Sequence, residues 1–197
     1  AGSEVNNHLI LQGDFLTNAF ASNALTLQSY RTIDLYGSAA STHQLNSLKL
    51  LSSGVRGYTS AGTNIQLNAS DILFSNPNSA AGLANPSTNT GLLAITAQNI
   101  RFGESGFAIA GFNSLDLAST NGAKADSKGS FSTTGSLSLS TPLLTASQGI
   151  SYSLAASSAL SMLASGRSSS ITPGLGATLN LAGSSVSLAS NIALPSG

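Results

Sequence analysis

Leu93-Ala94-Ile95, Leu115-Asp116-Leu117, Leu137-Ser138-Leu139 and Leu160-Ser161-Met162 are four short segments, each with apolar residues two positions apart. Their first residues follow one another at intervals of 22, 22 and 23 positions, a period that fits one coil of a solenoid and is too short for an independent domain. Outward from Leu93 the text runs Leu93-x-Ile95-x-Ala97-x-Asn99-Ile100-x-Phe102-Gly103. Alternation puts Leu93, Ile95 and Ala97 on one face of a strand, and the phase then shifts to even positions at Ile100 and Phe102. A corner between two strands does this. The same offset of seven separates Ile65 from Ile72, Leu137 from Leu144 and Leu179 from Val186, and the turn formers Asp71 and Asn99 stand just before the second strand. Each repeat therefore reads as strand, corner, strand and variable loop, with its apolar residues facing a shared interior.

The expected fold is all-β, a single parallel β-helix (β-solenoid) of about 22 residues per coil. Stacked coils at roughly 4.8 Å would form a rod roughly 40 Å long. Residues 1–24 read as an irregular first coil or entry segment, with a strand at Leu9-x-Leu11. The solenoid occupies 25–197, with excursions at 75–90, rich in Asn-Pro and Asn-Thr-Gly turns, and at 121–129, the most hydrophilic stretch. Both excursions are expected to project from the surface, and Ser168 to Gly174 marks a further break. The uncharged stretch from Gly129 to Gly166 also carries apolar residues at helical spacing, but Pro142, Gly149 and frequent Ser deny it the roughly 20 apolar residues of a membrane span. Terminal coils need capping, and Ile192-x-Leu194 continues the beat nearly to Gly197. The chain is accordingly expected to be part of a longer one, or to stack end to end on another copy. Ala1-Gly2-Ser3 suits a processed end or a fragment boundary.

Charged residues make up 7% of the 197, with seven basic and seven acidic, against roughly 25% in typical soluble proteins. Neutral hydroxyls and amides must solvate the outside, which suits stacked like residues because Ser, Thr and Asn tolerate their own kind whereas stacked charges repel. A net charge of zero offers no footprint for nucleic acid. The absence of Cys removes disulfides and thiolate metal sites and is neutral about compartment.

No residue is nominated as catalytic, cofactor-binding or metal-binding. Glu4, Asp14, Asp34, Asp71, Glu104, Asp116 and Asp126 are scattered singly, without the carboxylate pair of a glycan-cleaving site. Asp34 and Asp116 each lie between inward apolar residues and read as outward, solvated groups. His8 and His43 lack neighbours at metal-ligand spacing. Gly174-Leu175-Gly176 lacks the rest of a dinucleotide motif, and Asn68-Ala69-Ser70 matches the glycosylation acceptor pattern in a chain where such matches arise by chance. Tyr30, Tyr36, Phe74, Phe102, Phe107 and Phe112 are assigned mainly to core packing, and Tyr58 to the surface.

The pattern Leu-x-Leu/Ile-x-Ala-x-Asn-Ile-x-Phe-Gly, repeated about every 22 residues in a Ser/Ala/Gly/Asn-rich background from about Leu25 to Leu194, resembles the repeats of filamentous-haemagglutinin-like exoproteins. The resemblance implies a right-handed β-helix. It also implies a non-enzymatic bacterial adhesin or stalk, secreted or held at the cell surface by two-partner secretion through an outer-membrane transporter. Its partners would be a protein or glycan of a host or neighbouring cell. Two alternatives stay open: a structural subunit of an extracellular filament, sheath or surface layer, and a β-helix glycan lyase or hydrolase.

Overall fold

Alternating apolar residues with turn formers at fixed intervals leave one economical burial, in which every strand pairs in parallel with its counterpart one coil on. The computed structural model has this arrangement, an all-β solenoid of about seven turns some 23 residues apart. It describes residues 9–11, 18–19, 21–40, 44–82 and 84–196. The strands are β1 (Leu9–Leu11), β2 (Ala24–Gln28), β3 (Thr32–Tyr36), β4 (Ala39–Ala40), β5 (Leu45–Leu51), β6 (Gly54–Tyr58), β7 (Asn64–Ser75), β8 (Leu92–Phe102) and β9 (Ser105–Ala110). They continue as β10 (Ser114–Ala125), β11 (Gly129–Thr133), β12 (Ser136–Thr141), β13 (Leu144–Ala146), β14 (Ser151–Ala156), β15 (Ala159–Ala164), β16 (Thr178–Ala182), β17 (Ser185–Leu188) and β18 (Ile192–Ala193).

A turn has three sides. The long strands β7, β8 and β10 each form two of them, bending at the corner where the sequence phase shifts. Leu93 registers with Ile65 and Leu115, and Leu115, Leu137, Leu160 and Val186 continue that column. Past the corner, Ile72, Ile100, Ala123 and Leu144 form the second column. Between β8 and β10 the register slips at Ser119/Gly122, so this coil spends one extra residue on its corner. The third side is a seven-stranded sheet, β1-β3-β6-β9-β11-β14-β16. It replaces the variable loop expected from the repeat: Phe107, Ile109, Phe131 and Leu154 point inward from it and are buried.

All three sides meet in one continuous core. Ile95 is buried whereas Ser138 is half-buried, as alternation requires. Each buried Leu, Ile or Phe contributes on the order of 1.5–3 kcal/mol. Side two narrows at Ala123, Ala125 and Ala146, and Phe74, Phe102, Phe107, Phe131 and Tyr152 fill the axis there, with ring centroids 5.1–6.0 Å apart.

Two expected boundaries change. Residues 121–125 are strand, not an excursion, because Ala123 and Ala125 are fully buried and only Lys124 between them points outward. The 75–90 excursion is a surface segment, but it is bonded down on the third side. Where it leaves the coil no third-side strand forms, and β6 pairs across the gap with β9 through Gly54–Ala108, Val55–Ile109 and Arg56–Ala110. A second strandless stretch, 165–177, includes the expected break at Ser168 to Gly174, and β13 there pairs across to β18. From the 1–24 region, β1 pairs with β3 as a first coil; Glu4, His8, Asp14 and His43 lie outside the described residues. No helix among the described residues is long and apolar enough to cross a membrane.

Candidate functional site

The third side is where chemistry collects, because the excursion of 76–90 lies over its outer face. Asp34, between inward Ile33 and Leu35, points away from the core as alternation demands, yet it is only 2% exposed. Arg56, one turn on and in register with it, makes a two-pronged ion pair: Nε donates to Oδ1 at 2.8 Å and Nη2 to Oδ2 at 2.6 Å. Thr32 Oγ1 donates to Asp34 Oδ1 at 3.1 Å, and Arg56 Nη1 donates to the Ala84 carbonyl of the excursion at 2.8 Å. The hydrogen bonds to Asp34 hold the Arg56 guanidinium above its ordinary pKa, against the opposing effect of burial. This overturns the reading of Asp34 as a solvated carboxylate. The Ala84 carbonyl closes over Arg56, and the buried pair balances its own charge.

Beside the pair, Tyr36 and Tyr58 stack at 4.8 Å with Arg56 5.4 Å from the Tyr58 ring. Tyr58 is exposed as expected, but Tyr36 lies outside the core and Tyr30 is 68% exposed, so neither belongs to the packing assigned to them. Tyr36 follows the inward Leu35 by one position, which alternation should have revealed, whereas Tyr30 stands in the corner between β2 and β3.

The excursion begins by imitating the strand it replaces. Asn76 is 2% exposed; its amide donates to the Glu104 carbonyl at 3.1 Å and its Nδ2 to Gly106 O at 2.9 Å, supplying donors to the uncovered part of β9. Nδ2 also donates to Ala80 O, and Ala80 N donates to Oδ1 at 3.2 Å, which curls the segment over the sheet. Farther on, Asn89 Nδ2 donates to Thr134 O at 2.9 Å. Between the curl and the sheet lies an open depression of about 400 Å³ lined by Ser53, Asn76, Ser79, Ser105, Ser130, Ser132 and small neighbours. It contains no charged side chain, so what it offers is hydrogen bonding without an ionic component.

Asp71, Asp126 and Asp116 have separate settings. Asp71 accepts from Asn99 Nδ2 at 2.9 Å at the corner, and Asp126 pairs with Arg101 at 2.5 Å. Asp116 stands on the outer face between Ala94 and Ser138, where desolvation by the sheet raises its pKa. No described carboxylate among Asp34, Asp71 and Asp116 registers beside another, and no group of three metal-ligating side chains occurs among the described residues. Asn68 of the glycosylation pattern is half-buried in the middle of β7. Comparison of the chain with family models, with curated proteins and with solved structures finds no match.

Proposed function

We propose that this chain is a shaft-and-display segment of a non-enzymatic bacterial protein, secreted or exposed at the cell surface, of the kind the filamentous-haemagglutinin resemblance implies. The observation that carries this reading is the third-side surface, where a 15-residue excursion is pinned at Asn76, Ala84 and Asn89 over a rigid sheet and presents neutral polar groups outward. Binding groups held on loops by a stiff scaffold are a common use of such a fold. Beads coated with the purified chain are expected to adhere to a cell or glycan-bearing surface, and beads carrying a variant with 79–87 replaced by a short Gly/Ser linker are expected to adhere less. Equal adherence would remove the excursion from the function. Turnover in a polysaccharide-degradation screen, abolished by a single Asp→Asn change, would replace this reading by the glycan lyase or hydrolase.

A filament or sheath subunit is favoured by a different observation. Val186 and Leu188 continue the columns of Leu160 and Met162, yet are 44% and 54% exposed, since no described strand lies beyond β17 on that side. Another copy pairing there would cover them by the contacts used inside. Light scattering that rises with concentration for the unmodified chain and not for Leu188→Lys would support end-to-end stacking; a monomer at all concentrations would end it.

A further inference from the structure

The geometry points to the depression between the 76–82 curl and the outer face of β9 and β11 as a binding site for a neutral, hydroxyl-rich ligand the size of one or two sugar units. This deepens the display reading and rests on it. Three observations converge on the site.

The first is Gly106 in the floor. It sits mid-strand in β9, facing out, and is exposed. Its backbone is not in the left-handed region, and a Cβ there would meet only Ser130 Oγ, at an ordinary 3.5 Å. The fold does not need glycine here, and glycine within a strand is destabilising relative to alanine. What its lack of a side chain provides is open space over the sheet, and such a position commonly marks close approach by a ligand.

The second is the wall. Ser79 and Ser105 have φ of 49° and 61°, the positive-φ non-glycine residues among those described. Both line the depression, and their hydroxyls bond to each other at 2.7 Å. Uncommon backbone conformations held in place by surrounding bonds gather at ligand clamps. Asn76, nearly fully buried, fixes the wall to Gly106 itself.

The third is the hydrogen-bonding inventory. Ser130 and Ser132, in register with Gly106 and Ala108, face the depression with hydroxyls free to donate and to accept. A ligand that does both, such as a sugar hydroxyl, matches them. An ionic ligand would lose its hydration with no opposite charge in the lining to compensate. The volume lies in the range of small-molecule sites.

The test titrates the 197-residue chain with methyl glucoside, cellotetraose and, as an anionic control, sialyllactose, following backbone amide shifts by NMR. Saturable shifts centred on Gly106, Ser130 and Ser132 with a neutral sugar are expected, lost in Gly106→Val and weakened in Ser132→Ala. Thermal melts of both variants report whether the fold is kept. A smaller, fold-preserving Gly106→Ala change should give intermediate weakening. No shift with either neutral sugar, shifts elsewhere, a response only to sialyllactose, or saturation unaffected by Gly106→Val in a folded variant would each overturn the site. The bead assay run in parallel separates this from the display reading. Wild-type and Gly106→Val beads that adhere equally overturn the pocket and leave the display role; wild-type beads that never adhere overturn the display role, whatever the titration gives.

Discussion

Asp34 and Arg56 form a charge pair whose side chains are 3% and 10% exposed, so the energetic question is what happens when one member is removed. Asp34→Ala leaves a buried guanidinium and should cost about 3–5 kcal/mol, read by chemical denaturation. The paired change Asp34→Leu with Arg56→Met should recover most of that loss. Tyr152 presents the opposite case: it is 2% exposed, its hydroxyl has no hydrogen-bond partner among the described residues, and burial pushes its phenol pKa up. Tyr152→Phe should therefore stabilise, by about 1 kcal/mol, and an unchanged or lower melting temperature would show that the hydroxyl is satisfied. Asp116 adds a pH signature. Its folded-state pKa is raised, so its neutral form is the one the fold prefers. The stability it contributes is full below the ordinary carboxyl value and is lost as pH rises through the raised one. Asp116→Asn should thus gain on the wild type as pH rises through that window and match it in acid. Alternation correctly turned Asp34 outward from the core. It could not reveal the cover, because Ala84 lies 28 residues past Arg56 and the intervening bond is a matter of where a loop lands.

The strands show the same division between local and distant information. Sides one and two were legible because Leu, Ile and Phe mark their inward positions and the seven-residue offset marks the corner from Ile65 to Ile72, Leu93 to Ile100 and Leu137 to Leu144; the equal offset from Leu179 to Val186 instead joins side three to side one. Side three was legible only at Ile33-x-Leu35 in β3 and Leu179-x-Leu181 in β16; between them its inward Phe107, Phe131 and Leu154 recur one coil apart without the Leu-x-Leu signature. The 121–129 stretch was misread for a related reason: alanine at 123 and 125 carries the inward phase weakly, and Lys124 and Asp126 dominate its composition. The filling of that narrow part by Phe102, Phe131 and Tyr152 is a property of stacked coils that no single repeat displays. Replacement of 79–87 by a short linker should keep the strand signature in far-ultraviolet circular dichroism. It should also lower the melting temperature, because the Arg56–Ala84 bond is lost and the ion pair meets water. Loss of the strand signature would mean that the excursion is integral to the coil.

Across the whole molecule each turn rests mainly on its two neighbours, apart from the pairings of β6 with β9 and β13 with β18 that skip one turn, so stability should be graded along the axis. Amide hydrogen exchange is expected to be slowest in β7, β8 and β10, whose interior residues are covered from both sides, and fastest in β16 to β18, where Leu179 and Leu181 are half-buried and Val186 and Leu188 exposed. Uniform protection from end to end would contradict nearest-neighbour stacking. The re-pairing of β6 with β9 and of β13 with β18 carries a historical implication as well. A wall that closes over a missing strand lets the chain gain or lose a dozen residues at a corner without moving any other rung. Because the entropic cost of a longer loop grows by only about 0.6 kcal/mol per doubling, insertions at such corners are close to neutral. New surface segments can therefore be tried by evolution one at a time, on a frame that does not have to be rebuilt for each.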